Sequence, residues 1–330
     1  MENVIIESVP NFSVARDTKV VEGIIKVFNS IDGLKLLHTD IGVDANRTVF
    51  TVAGHPHLVC EGLFQATKYA VSKIDMRRHQ GNHPRIGALD VCPLIPISGI
   101  GIDELLVYAE QLGTRMGKEL NIPIYYYESS AKSSQRKNLA EIRRGEYEGL
   151  ADKMKQKDWQ ADNGISFNAA AGATVLGVRK FLLAFNVNLE TKELMVAKTI
   201  AAKIRESGYK EIQNGQAIHH AGYLKGVKAI GWYVEEFQCC QVSTNITDIN
   251  QNTISTVFNA CKEEAKKFGV TVTSSELIGL IPKKAVDDAA YHLGILTTNE
   301  KEKWDRVSQA LGLNIKESFD FQHRIIENLL

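Results

Sequence analysis

Between residues 77 and 90 the chain reads Arg77-Arg78-His79-Gln80-Gly81-Asn82-His83-Pro84-Arg85-Ile86-Gly87-Ala88-Leu89-Asp90. Imidazole takes up and releases protons near neutral pH. Guanidinium groups grip carboxylates through paired hydrogen bonds. The chemistry open to this stretch is therefore proton transfer on a substrate held by its carboxylates. The plainer alternative is a solvated basic turn, and residue types alone favour it. His79 and His83 have the spacing of two ligands on a helix, but Gly81 and Pro84 oppose a helix there, and no third ligand is evident. A metal is not expected.

A second polar stretch, Asp40-Ile41-Gly42-Val43-Asp44-Ala45-Asn46-Arg47-Thr48, joins two strand-like runs. A carboxylate such as Asp40 could orient a histidine or hold a substrate nitrogen there; an ordinary turn with local Asp and Asn bonds is the alternative. Gly54-His55-Pro56-His57 looks like a helix start, and its histidines suit surface or capping roles. His219-His220 lie in a Gly- and Gln-rich stretch read as a loop without a role. The third stretch is Gly164-Ile165-Ser166-Phe167-Asn168-Ala169-Ala170-Ala171-Gly172, whose small residues would let a flat ligand approach the backbone. A flexible inter-domain linker is the alternative, and composition alone slightly favours it. The sequence has no G-x-G-x-x-G, Walker loop, G-x-S-x-G or metal signature, so no nucleotide or metal cofactor is expected.

These loops need elements to position them. Val4 to Val9 reads as a strand and Asp17 onward as a helix, with Val20, Val21, Ile24, Val27 and Phe28 in one stripe. Strands follow at Leu34 to Thr39 and Thr48 to Val52, then a helix from His57 to Ile74 and a buried strand from Leu89 to Ile97. The order strand, helix, strand, strand, helix, strand is the split-βαβ order, with an antiparallel-containing sheet and helices on one face. Ile102 to Leu120 is a strongly patterned helix, Ile124 to Glu128 a strand, Leu139 to Met154 a helix, and Lys155 to Ala171 a connection. In the second half Thr174 to Leu189 reads as one long strand and Thr191 to Arg205 as a helix. Val227 to Glu236 and Gln241 to Thr247 are strands, Ile254 to Phe268 a helix, and Val270 to Ile281 extended. Helices at Lys283 to His292 and Lys301 to Leu311 close the chain. The order thus repeats, as a pattern and not residue by residue, with a boundary near 175–180.

A length of 330 residues suits two domains. Lys plus Arg equals Asp plus Glu, 39 each. Such a balance offers no field for nucleic acid or an anionic membrane. No run of about 18 apolar residues occurs. Met1-Glu2-Asn3-Val4 does not begin a signal peptide, and the five cysteines show no C-x-x-C. A cytoplasmic location with reduced thiols is expected.

Beyond the motifs already quoted, the chain contains Glu7-Ser8-Val9-Pro10-Asn11-Phe12-Ser13, Asn46-Arg47-Thr48-Val49, His83-Pro84-Arg85-Ile86-Gly87-Ala88-Leu89-Asp90-Val91-Cys92-Pro93 and Gly172-Ala173-Thr174. Phe185-Asn186-Val187-Asn188-Leu189, Gly231-Trp232-Tyr233, Gln241-Val242-Ser243, Asn245-Ile246-Thr247-Asp248, Ser275-Glu276-Leu277-Ile278-Gly279-Leu280-Ile281-Pro282 and Arg324-Ile325-Ile326-Glu327 follow in order. In these it resembles the formiminotransferase family almost end to end. The resemblance implies an α+β fold of two ferredoxin-like α/β subdomains, 1–178 and 179–330, with antiparallel-containing sheets and a crevice between them. It implies a homodimer and transfer of the formimidoyl group from formiminoglutamate to tetrahydrofolate, the co-substrate. It places the family's catalytic histidine on His83, not His79, and its folate-binding loop on Gly164 to Gly172. Asp40 is then the candidate for orienting His83 or binding the amidinium, and Arg47 and Arg85 the candidates for substrate carboxylates. The family's cyclodeaminase part is expected to be absent. Two departures stand out: Asp162-Asn163-Gly164-Ile165 replaces the usual Asp-Phe-Gly-Pro, and Ala170-Ala171 replaces bulkier residues, which should open the pocket. Formyl transfer between 5-formyltetrahydrofolate and glutamate, or folate binding without catalysis, are the alternatives.

Overall fold

The computed structural model describes residues 4–164, 166–213, 216–313 and 319–330. The chain forms two compact units, Met1–Lys180 and Phe181–Leu330.

The first unit contains β1 (Ile5–Ser8), β2 (Asn11–Phe12), α1 (Thr18–Asn29), β3 (Lys35–Gly42), β4 (Arg47–Gly54), α2 (Pro56–Val71) and β5 (Leu89–Ser98). It continues with α3 (Ile102–Glu119), β6 (Ile124–Tyr126), α4 (Leu139–Arg143), α5 (Glu146–Met154) and β7 (Thr174–Val178). β1 and β2 are one line of chain interrupted at Val9-Pro10; both pair antiparallel with β4 on one side and β5 on the other. Proline has no N–H for the ladder, which accounts for the break. With β3 on the outer side of β4, the order β3-β4-β1/β2-β5 is the ferredoxin-like one, and β7 and β6 extend it as parallel strands.

Strand alternation sorts this sheet into two faces. Ile6, Phe12, Phe50, Val52 and Leu94 pack with Val20, Ile24 and Phe28 of α1 and with residues of α2 and α3. Asp17 caps α1, its carboxylate accepting from the Val20 N–H at 3.3 Å. The opposite face is apolar under α4 and α5, where Val91, Tyr125 and Val175 meet Ile142 and Leu150. Elsewhere it mixes polar side chains such as Glu7, Arg47 and Thr51 with Val49, Ala53 and Ile95.

The second unit contains β8 (Leu183–Leu189), α6 (Leu194–Ile204), β9 (Tyr209–Gln213), β10 (Gln216–His220), β11 (Val227–Val234), β12 (Cys239–Ile246), α7 (Ile254–Lys266), β13 (Val272–Ile278), α8 (Lys283–His292) and α9 (Glu300–Leu311). Its 4-stranded sheet runs β11-β12-β8-β13, entirely antiparallel. This is the ferredoxin-like order again, so the fold is α+β, with two such sheets.

Three sequence expectations shift in detail. Thr174 to Leu189 is not one strand: β7 joins the first sheet in parallel and β8 the second in antiparallel fashion, and Arg179-Lys180 lie between them. Leu139 to Met154 is not one helix. Gly145, at φ +89°, reverses the chain between α4 and α5. His219-His220 are not in a loop but on β10, opposite Lys210 and Tyr209.

Candidate active site

The turn between β3 and β4 and the segment after α2 are tied together. The Asn46 side chain accepts from the N–H groups of Ala15 and Arg16 at 3.0 and 3.2 Å. It donates to the Gln80 carbonyl at 3.1 Å. Asn82 N–H donates to Asp44 O at 3.1 Å. Gly81 sits where a Cβ would come within 2.1 Å of Ala45 O, so only glycine lets the two segments approach this closely.

This frame separates the two histidines. His79 Nε2 lies 2.8 Å from Asn46 O, and Arg85 Nε donates to His79 Nδ1 at 3.2 Å. A carbonyl can only accept and a guanidinium can only donate, so His79 is held as the neutral Nε2–H tautomer with both nitrogens used. Burial, chiefly, keeps its pKa below the usual histidine value. Such an imidazole is a structural bracket.

His83 is half-buried. Its Nδ1 lies 2.9 Å from Pro84 O, an acceptor that favours the Nδ1–H tautomer with the lone pair on Nε2. Arg47 Nη1 approaches both ring nitrogens, at 2.9 Å from Nδ1 and 3.2 Å from Nε2. Burial, then the charges of Arg47 and Arg143, hold the His83 pKa well below the usual value, with the Pro84 carbonyl opposing. The ring is neutral at physiological pH and able to act as a base.

Arg47 opens β4 opposite Gly42. Burial and the neighbouring Arg143 lower its pKa to about 10, with Asp90 acting the other way. Asp90 is fully buried; its Oδ1 accepts from Ile86 N–H at 2.8 Å and its Oδ2 meets Arg143 Nη2. This carboxylate fixes the segment that follows His83.

Arg85 does a different job from the one expected. Its guanidinium contacts Glu148 at 2.6 and 2.8 Å, Glu146 at 3.1 Å and His79 O at 3.2 Å. Paired in this way with the protein's own carboxylates, it is not open to a substrate carboxylate and instead clamps the loop. A hollow of about 400 Å³ beside it is lined by Gln80, Gly81, Gly145, Glu146 and Glu148, and by neither Arg47 nor His83. Asp40 sits on β3 opposite Val49, on the same sheet face as Arg47, with an oxygen 3.1 Å from His38 Nε2.

The 164–172 segment is stitched to the His83 loop. Ala88 N–H donates to Ala171 O at 2.8 Å and Ala173 N–H to Ile86 O at 2.9 Å. Gly172 has φ +69°, and a Cβ there would lie 2.1 Å from Ile86 O. Gly164, at φ +65°, is pressed against Ile122 O in the same way. Both glycines thus serve close approach to the protein's own backbone. Asn168 Oδ1 accepts from the Ala170 and Ala171 N–H groups at 3.2 and 3.0 Å. Tyr147 O–H donates to Ala169 O at 2.5 Å, and its ring lies 6.3 Å from that of Phe167. Ser166 and Phe167 are exposed; Ile165 lies outside the described residues.

The structure therefore gathers His83, Arg47, Asp90 and Arg143, with the 166–172 backbone attached through Ile86 and Ala88. Sequence reasoning quoted Asp90 without a role. It missed Arg143 and Tyr147, which fell inside the single helix expected from Leu139 to Met154.

The family model described as "Formiminotransferase domain, N-terminal subdomain" matches residues 5–179, and the one described as "Formiminotransferase domain" matches residues 184–330. The chain belongs to the formiminotransferase family. It is 38% identical to the glutamate formimidoyltransferase of Streptococcus pyogenes, over 99% of this chain and 98% of that one. It is 35% identical to the enzyme of the same name in Thermoplasma acidophilum, over 88% and 92%. The formimidoyltransferase-cyclodeaminase of Rattus norvegicus is 42% identical over 99% of this chain, which spans 60% of the length of that relative. Among the described residues, no cluster of three metal-ligating side chains occurs and no helix is long and apolar enough to cross a membrane.

Proposed function

We propose that this chain transfers the formimidoyl group of N-formimidoyl-L-glutamate to N5 of tetrahydrofolate, with His83 as acid and base. The observation that carries the reading is the state of His83: neutral, its tautomer favoured by Pro84 O, its basic nitrogen beside Arg47. N5 attacks the amidine carbon and forms a tetrahedral intermediate. His83 Nε2 takes the proton leaving N5 and returns it to the glutamate nitrogen as the carbon–nitrogen bond breaks. The products are 5-formimidoyltetrahydrofolate and glutamate. One residue thus serves both steps, an effect worth about 10²–10⁴-fold. Arg47 holds a donor carboxylate, Asp40 orients the ring or the amidinium, and the Gly164–Gly172 segment, with Phe167 exposed on it, lines the folate.

The two halves, 1–178 and 179–330, act in this reading as the N- and C-terminal subdomains of one homodimeric, cytoplasmic enzyme of histidine breakdown. Its support is the near full-length match to two standalone formimidoyltransferases. A spectrophotometric assay with formiminoglutamate and tetrahydrofolate tests it. Turnover abolished by His83→Ala is expected. Turnover only with 5-formyltetrahydrofolate and glutamate, or folate binding with no turnover, would overturn it.

A further inference from the structure

We infer that Arg47 and Arg143 together receive one carboxylate group of the acyl donor, beside His83. Arg143 ends α4, and its side chain is 12% exposed. Its Nη2 contacts Asp90, while its Nε is enclosed and has no partner among the described residues. Arg47 reaches the His83 ring from β4, and no ion pair of it with a carboxylate occurs among the described residues. Its counter-charge is Asp90, whose two oxygens are already used by Ile86 N–H and Arg143. Two guanidinium groups thus share one buried carboxylate.

The buried Arg85 and Arg136 are more fully matched by anions and carbonyls, although Arg136 Nε, like Arg143 Nε, has no partner among the described residues. Arg85 is held by Glu146 and Glu148. Arg136 bonds Asp162 at 2.8 Å and the carbonyls of Asp158 and Gln160, each at 2.7 Å. A buried cation without a paired anion is costly, and an entering carboxylate removes the cost. It would also relieve the repulsion that Arg143 exerts on Arg47. The fork of each guanidinium suits a planar carboxylate, and a neutral amide would leave the charge unanswered. The identity of the donor rests on the reaction proposed above; the need for a carboxylate does not.

The test is calorimetric titration of the full chain with glutarate, and with glutaramide as the neutral control. R143Q should weaken glutarate binding about 10- to 100-fold, the range of a lost charge-assisted bond. D90N keeps an acceptor for Ile86 N–H but removes the opposing charge, and should tighten binding. D90N/R143Q should stay weak. Recovery of wild-type affinity in the double variant would mean that Arg143 only neutralises Asp90, and would overturn the inference. So would equal glutarate affinity in wild type and R143Q, or no glutarate binding by wild type. Should R143Q fail to fold, R143K, which lacks the fork, carries the test: undiminished affinity overturns it. Glutarate binding that depends on Arg143, without transfer to tetrahydrofolate, would sink the reaction and leave the site. Transfer with an unchanged KM for formiminoglutamate in R143Q would do the reverse.

Discussion

The two sheets share the ferredoxin-like strand order, but their faces turned away from α1 and α2, and from α6 and α7, are unlike. In the second unit that face carries Asn186, Asn188, Gln241 and Glu276, bonded to one another. Gln241 Nε2 donates to Asn188 Oδ1 at 2.9 Å, Trp232 Nε1 to Gln241 Oε1 at 2.8 Å, and Asn186 Nδ2 to Glu276 Oε2 at 3.1 Å. In the first unit the corresponding face carries ionisable groups under tension: His83 depressed, Arg47 lowered, and Glu7 raised by burial to about 7. Glu7 Oε2 and Thr51 Oγ1 are enclosed there with no partner among the described residues. A satisfied polar network rigidifies a sheet, whereas unsatisfied and perturbed groups mark the place where a ligand completes the structure. The shared topology sets neither outcome; the side chains on it do.

The largest effect should come from His83. His83→Gln should lower kcat by about 10²–10⁴ and leave the melting temperature near wild type, since an amide keeps a donor for Pro84 O and an acceptor for Arg47. In wild type the acid limb of kcat/KM should lie below the ordinary histidine value, because burial and two arginines hold His83 neutral down to lower pH. Stability has the same sign. The folded pKa is depressed, so the unfolded chain gains the proton first, and stability is lost as pH falls below about 6.5 toward the folded value. An acid limb above that value would contradict the assignment.

On the satisfied face the effect should be on stability. Gln241 is fully buried. Gln241→Leu removes the partner of the buried Asn188 Oδ1, which costs about 1–3 kcal/mol when left unbonded, and the bond that Trp232 Nε1 makes to Gln241. Denaturant unfolding should show the loss; an unchanged midpoint would erase the contrast between the faces.

Glu7 sharpens the comparison from the other side. A carboxyl raised from 4.5 to about 7 destabilises the fold as it ionises. Its contribution is fully present below the unfolded pKa and is lost as pH rises through the folded one. Glu7→Gln should therefore unfold at higher denaturant than wild type at pH 8, by roughly 2–4 kcal/mol, with the gap closing toward pH 4. A gap independent of pH would mean that Glu7 is ionised and paired.

How much of this was legible in sequence depends on the distance over which each signal acts. The amphipathic stripes of Val20, Val21, Ile24 and Phe28 and of Leu105, Ala109, Leu112 and Met116 are local, and they gave α1, α3 and the sheet order. The break at Gly145 and the division of Thr174 to Leu189 between two sheets follow from long-range pairing, which periodicity does not encode. The hairpin β9–β10 was passed over because its strands are polar on both faces, although Asn214-Gly215 is a hairpin signal. In the site, His83 and Arg47 were legible as residue types in loops. Arg85 was misassigned because its partners Glu146 and Glu148 lie some sixty residues on, at separations of 61 and 63. Arg143 and Tyr147 carried no local mark at all; only the folded chain brings them to His83 and to Ala169.

The smallest effect expected is at Phe167, on the 166–172 segment of the first unit. The ring is 38% exposed and touches Tyr147 at 6.3 Å, so it is neither a core residue nor free in solvent. The backbone of its segment is fixed independently, through Asn168, Ala169 and the Gly87–Gly172 bridge. Phe167→Ala should therefore leave stability within about 0.5 kcal/mol of wild type. If the ring stacks on the folate, the loss is about 0.5–1.5 kcal/mol, read as a two- to twelve-fold rise in the KM for tetrahydrofolate with kcat unchanged. Tyr147→Phe separates the two roles of this contact: it keeps a ring for Phe167 but drops the bond to Ala169 O. Equal KM values for tetrahydrofolate in wild type and Phe167→Ala would remove the side chain from the binding surface. The segment would then contribute through its backbone alone, where Gly172 and Ala171 lie against Ile86 and Ala88.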